Sequence, residues 1–141
     1  MGEKLIRADG WESRLAAAVA GALDRPYRLG EHDCFIFANR CAEAMTGVNP
    51  GIAFIGKYTM RIGVLRLIRA YAGGGLREGI TKMLGIEPLP PRQARRGDWL
   101  LYHDDVGEHI GVCLGGTAAV LIEHGLSHVA LDKCVCAWAI G

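Results

Sequence analysis

No apolar run in this chain approaches the roughly twenty residues needed to cross a bilayer, which excludes a spanning helix and membrane insertion. The N-terminus, Met1-Gly2-Glu3-Lys4-Leu5-Ile6-Arg7, lacks the apolar core and small-residue cleavage pattern of a secretion signal. Both absences lead us to expect a soluble protein made in the cytoplasm. An excess of one charge is missing too. Sixteen Lys and Arg stand against fifteen Asp and Glu, a net charge of +1, so nothing favours nucleic acid or an acidic surface as a partner. The one basic cluster, Arg92, Arg95 and Arg96, follows a proline-rich turn and is expected to be a solvated connector.

Paired cysteine spacing is absent as well. The five cysteines, at positions 34, 41, 113, 134 and 136, are odd in number and form no ladder, so a disulfide framework is not expected and at least one thiol is free. Cys134-Val135-Cys136 with His124 and His128 offers ligand types that suit zinc, but no second knuckle accompanies it. Alternation along a strand points both of those sulfurs to one face, and with Cys113 they are read as core residues of a sheet. Gly73-Gly74-Gly75 follows a helical stretch rather than a strand, and no Gly-Lys-Ser or Gly-Lys-Thr ending occurs, which argues against a nucleotide site. No metal and no cofactor are therefore expected.

What remains is a chain of 141 residues, half of them hydrophobic, enough for one core and one domain over 1–141. Asp9, with Glu12 three residues on, is expected to cap a first helix carrying Trp11, Leu15, Ala18, Val19 and Ala22. Asp33 is placed to cap a second, which closes at Thr46-Gly47. Thr59 is expected to open a third helix with Ile62, Leu65, Leu67, Ile68 and Tyr71 on its apolar face, and Leu76 to Leu84 a fourth that ends at Gly85. After Pro88, Pro90 and Pro91 the period changes from helical to alternating. Strands are expected at 99–102, 110–114, 118–123, 129–131 and 135–140, separated by Asp-Asp, Gly-Gly and His-Gly turns. Helices first and an antiparallel meander second argue an α+β fold with the helices on one face of a small sheet.

Two stretches carry chemistry. Cys34 stands in the first turn of the second helix, where free N–H groups and the helix dipole favour an anion and lower a thiol pKa. His109 precedes an apolar strand far downstream and has the chemistry of a general base. His32 and His103 are expected at the surface. Asp33 is expected chiefly as a helix cap.

These stretches fit a wider pattern. Pro26-Tyr27-Arg28-Leu29-Gly30 followed by Asp33-Cys34 resembles the Pro-Tyr-x-Trp-Gly-Gly and Asp-Cys-Ser-Gly segments of the NlpC/P60 cysteine peptidases. Arg96-Gly97-Asp98-Trp99-Leu100-Leu101-Tyr102 resembles their Gly-Asp strand, and His109-Ile110-Gly111-Val112-Cys113-Leu114-Gly115 their His-Val-Gly-Ile strand. The likeness covers roughly residues 26 to 125 in the family's order. The chain as a whole also resembles the small tail-associated members encoded by phages, prophages and gene transfer agents. Phe35-Ile36 stands where the family has Ser-Gly, and Glu31 where it has a second glycine.

The resemblance implies a papain-like α+β fold and hydrolysis of an amide in the stem peptide or cross-bridge of peptidoglycan. Cys34 would be the nucleophile, His109 the base, and His124, on or just after the next strand, the residue that orients His109. Tyr27 and Asp33 would border the substrate and oxyanion, with the backbone N–H of Cys34 as a further donor. Such a protein would be made in the bacterial cytoplasm and would reach the wall on a phage-like tail tip, with tail hub or tip proteins as partners. An alternative is a non-catalytic adaptor of the tail hub or tip that keeps the fold. A third class is an acyltransferase or amidase on a small or lipid substrate, since the same thiol chemistry serves all acyl transfer.

Overall fold

A computed structural model describes residues 4–141, so Met1, Gly2 and Glu3 of the N-terminal segment considered above lie outside the described residues. Four helices, α1 (Trp11–Ala22), α2 (Cys34–Thr46), α3 (Arg61–Ala72) and α4 (Leu76–Leu84), precede five strands. The strands are β1 (Trp99–His103), β2 (Glu108–Cys113), β3 (Thr117–Ile122), β4 (Gly125–Ala130) and β5 (Cys134–Trp138). All neighbours are antiparallel, in the order β4-β3-β2-β1-β5. The expected α+β class holds. No helix among the described residues is long and apolar enough to cross a membrane.

The second helix is the hub of the main core. Phe37, Ala38, Cys41, Ala42 and Met45 recur at helical spacing and are buried against Leu15 of α1, Ile80 and Met83 of α4, and one face of the sheet. That face presents Trp99, Leu101, Ile110, Val112, Ala119, Leu121, Cys136 and Trp138. Each fully buried aliphatic or aromatic side chain contributes about 1.5–3 kcal/mol. Two indoles fix the layers in register: Trp99 Nε1 donates to the Ala38 carbonyl at 3.1 Å, and Trp138 Nε1 to Thr81 Oγ1 at 3.1 Å. The opposite face holds a smaller cluster of Leu100, Cys113, Ala118 and Ala137, covered by Ala94, Val129, Leu131 and Cys134.

The Gly-Asp motif acts as a bolt between distant segments. Asp98 is buried, and its Oδ1 accepts from Arg7 Nη2 at 2.8 Å and from the Ile140 N–H at 3.0 Å, while Oδ2 accepts from the Arg95 N–H at 2.8 Å. Gly97, at φ 93°, brings the chain against α2 so closely that a Cβ would sit 2.5 Å from Met45 Sδ. Arg95 Nη2 also donates to the Gly141 carbonyl at 2.7 Å, so the basic connector is partly structural.

Several local expectations need correction. Asp9 does not cap α1: Gly10 is the N-cap, in the left-handed region at φ 77°, a conformation in which no side chain is available for a box. Thr59 does not cap α3, which opens one residue later, after an extended Met60. The second strand begins at Glu108, so His109 is within β2, and the last strand is Cys134–Trp138. Cys134 and Cys136 do not share a face. Leu101 pairs with Cys136 and Tyr102 with Cys134, so Val135 is an extra residue that breaks the alternation. Cys136 enters the main core and Cys134 packs on the opposite cluster.

Candidate active site

The first turn of α2 is set by its cap. Asp33 is extended, and its Oδ1 accepts from the Ile36 N–H at 2.9 Å, as the helix requires of a good N-cap. Its Oδ2 is occupied as well, by the Gly30 N–H at 2.8 Å and the Tyr58 hydroxyl at 2.7 Å. Gly30 takes φ 87°, and a Cβ there would lie 2.5 Å from the Tyr58 carbonyl oxygen, so glycine allows the loop to close on this carboxylate. Asp33 is 2% exposed and fully engaged. It caps the helix that Cys34 opens and lies beside that thiol on the same cavity.

Cys34 is the first residue of α2 and borders a cavity of about 320 Å³ together with Tyr27 and His109. Burial is the strongest influence on its thiol. The N–H groups of Ile110 and Phe35 and the Arg61 charge favour the thiolate, Asp33 opposes it, and the pKa is pushed up to about 12. The sequence led us to expect a lowered value, because a helix start favours an anion. Desolvation and the capping carboxylate outweigh that field. Cys34 is therefore a thiol at neutral pH and needs a base to remove its proton.

An imidazole borders the same cavity. His109, in the part of β2 that has no β3 partner, is 7% exposed, and its Nε2 lies 3.0 Å from Asp104 Oδ1. A carboxylate only accepts, so Nε2 carries the ring proton and Nδ1 is left with the basic lone pair. Asp104 is itself held in the β1–β2 turn. Its Oδ1 accepts from the N–H groups of Val106 at 2.9 Å and Gly107 at 3.1 Å, and its own N–H donates to the Gly107 carbonyl at 3.0 Å. Slight burial raises the Asp104 pKa, but the bonds from His109, Gly107 and Val106 outweigh it and hold the carboxyl below its ordinary 3.8.

His124 does not take the orienting position. It is exposed in the turn between β3 and β4 and does not border the cavity. Asp104 occupies that role, five residues before His109 in an Asp-Asp-Val-Gly turn. The signal was present in the sequence: an aspartate that opens a tight turn directly before the histidine strand faces back along it. The structure thus brings Tyr27, Asp33, Cys34 and His109 to one cavity and leaves His124 outside. Among the described residues no hydrogen bond joins Cys34 Sγ to the His109 ring.

Tyr27 lies on the loop before α2, and burial, followed by the neighbouring Cys34 and Asp33, raises its pKa, which keeps it a hydroxyl donor. His32 is not at the surface. Its Nε2 meets the Ala22 carbonyl at 3.1 Å and its Nδ1 the Arg40 guanidinium at 3.0 Å, so it is a neutral strut between α1 and α2. Most of the remaining lining is apolar, with Tyr58, Arg61 and Glu108 as its other polar residues. Phe35, Phe54, Ile68, Tyr71, Ile80 and Met83 form its depth between α2, α3 and α4.

The sequence matches, over residues 6–140, a family described as a domain of unknown function (DUF6950). The chain belongs to that family. The match contains α1 to β5 whole, and with them every residue of the Cys34 cavity. No curated protein matches the sequence.

Proposed function

We propose that this DUF6950 chain is a cysteine hydrolase of the NlpC/P60 kind with a papain-like arrangement, in which Cys34 is the nucleophile, His109 the base and Asp104 its positioning residue. The observation that carries this reading is that His109, which borders the cavity with Cys34, is held from behind by Asp104 at 3.0 Å. With Nε2 committed to Asp104, Nδ1 takes the Sγ proton as sulfur bonds to the substrate carbonyl carbon. The tetrahedral oxygen is met by the Tyr27 hydroxyl and by the N–H groups of the first turn of α2, where the Ile36 N–H is already taken by Asp33. The imidazolium returns the proton to the leaving amine or alcohol as the carbonyl–heteroatom bond breaks, leaving a thioester. Water then attacks the thioester with His109 as base, which releases the carboxylic acid and restores the thiol.

The wall reading, an amide in the peptide part of peptidoglycan reached from a phage-like tail tip, enters through the resemblance and is the first substrate to test. Treated peptidoglycan should show new amino ends, and Cys34→Ala should abolish them. Iodoacetamide near pH 7 should modify Cys34 faster than the other cysteines, and His109→Ala should slow it. Equal modification of accessible thiols, indifferent to His109, would remove the catalytic reading.

A tail adaptor is the second reading. The exposed apolar side chains Met60, Ile62, Leu65 and Val106, the last two bordering the cavity, favour it, as does a thiol without a hydrogen bond to its base. It expects Cys34→Ala to be silent and a polar substitution at Ile62 or Leu65 to stop assembly.

A further inference from the structure

Most of the side chains that line the cavity beside Cys34 are apolar. Its volume of about 320 Å³ lies at the low end of small-molecule sites, which span roughly 300–1,000 Å³. Its charged neighbours are Asp33, which is occupied as the α2 cap, Arg61 at the start of α3 and Glu108 at the start of β2, whereas the other residues of α3 and α4 that border it are uncharged. Amide or carboxylate groups placed among Ile68, Tyr71, Ile80 and Met83 would lose water without gaining partners. Cys34, His109 and Tyr27 border the same cavity as these apolar side chains, so the substituent of a carbonyl held at Cys34 has apolar surface within reach.

The outer wall gives a second, independent reason. Helix α3 has Val64, Leu67, Ile68 and Tyr71 on the cavity, yet none of its residues is buried. Tyr71 packs edge-on against Phe54 and on the main core, but the rest of that apolar face is only half-buried and borders the cavity. A hydrocarbon in that space would give α3 the burial that the protein alone does not provide.

We propose that the cavity receives the apolar acyl chain of the substrate, under α3, with the carbonyl at Cys34. An apolar cavity of about 150 Å³ holds a benzene ring, so this one accommodates roughly ten carbons. The scissile bond is then an ester, thioester or amide of a medium-length fatty acid. This rests on the reading of Cys34 as nucleophile and narrows it to a substrate class.

The full chain tests it with two p-nitrophenyl esters, the acetate and the octanoate, and with decanoate as a non-reacting ligand. Burial of the added methylenes should make kcat/KM for the octanoate greater than for the acetate by roughly tenfold or more, with both activities lost in Cys34→Ala. Leu67→Trp, which fills the cavity from its wall, should lower the octanoate-to-acetate ratio by about fivefold. If neither ester is cleaved in a Cys34-dependent way, the nucleophile reading fails, and decanoate binding to Cys34→Ala by calorimetry decides the cavity by itself. Saturable binding that Leu67→Trp weakens supports the acyl-chain site; no binding overturns it. If the esters are cleaved but the octanoate has no advantage, or a muramyl peptide is the better substrate, the acyl-chain proposal is overturned while the nucleophile stands.

Discussion

Asp104 shows how a single side chain decides the chemistry of its neighbour. Because it holds Nε2–H of His109, substitution by Asn permits the other tautomer and removes the charge that stabilises an imidazolium. Asp104→Asn should lower Cys34 alkylation near pH 7 by roughly tenfold or more, by analogy with other triads in which the third member fixes the tautomer. The pH dependence of stability has a defined sign. The folded-state pKa of Asp104 is depressed below its ordinary 3.8, so its contribution is present above that value and disappears as pH falls through the folded-state pKa. Thermal melts should therefore show wild type above Asp104→Asn at neutral pH and the gap closing in acid below 3.8. A gap that stays constant into acid would mean that Asp104 acts through shape alone. The thiol behaves oppositely. With its pKa pushed up to about 12, Cys34 in His109→Ala should alkylate ever faster as pH rises through the alkaline range, with no plateau near neutrality.

Among the elements, α2 and α3 represent two kinds of helix. The second helix buries seven residues, among them Phe37, Cys41 and Met45, while the third buries none. Opening free energies follow buried contact, so amide hydrogens of residues 61–72 should exchange well before those of 34–46. Equal protection would contradict the view of α3 as a thin wall over a space, and a bound decanoate should slow α3 selectively. The same contrast explains which elements were legible in the sequence. Helical spacing and glycine stops at Gly47, Gly73 and Gly85 locate α2, α3 and α4 to within a residue or two, because each stop is a local conformational demand. Cap chemistry was less legible. Asp9 has the right residue type but the chain enters α1 through Gly10 instead, and the choice depends on where residues 4–8 are tied by Arg7 and by the Ala8 N–H to the Met45 carbonyl. The bulge at Val135 is likewise invisible to alternation, since it is set by the β1 partner. For the site, Cys34, His109 and Tyr27 were legible from motif order and Asp104 only from its place at the head of the turn before β2, whereas the thiol's pKa depended on burial that no spacing reveals.

At the scale of the whole molecule, the chain's two ends and its sheet converge on one carboxylate. Asp98 accepts from Arg7 near the N-terminus, from Arg95 in the connector and from Ile140 near the C-terminus, all while 1% exposed. Arg7 in turn donates from Nε to the Ile140 carbonyl at 2.8 Å and from Nη1 to the Arg96 carbonyl at 2.7 Å. Removing the carboxylate leaves a largely buried guanidinium and two backbone N–H groups without their acceptor, a loss of about 3–5 kcal/mol for a broken buried pair. That is a large share of the roughly 5–15 kcal/mol that stabilises an ordinary domain. Asp98→Ala should therefore fold poorly or melt far below wild type. Arg7→Ala should be milder, because the buried carboxylate it leaves behind keeps two backbone N–H donors and has the Arg95 guanidinium 3.9 Å away. Chemical denaturation of both variants measures the difference. If Arg7→Ala proved as damaging as Asp98→Ala, the ion pair itself, rather than the backbone bonds gathered on Asp98, would be what closes the fold. The bolt lies away from the Cys34 cavity, so an Arg7→Ala protein that remains folded should retain the Cys34 labelling rate of wild type.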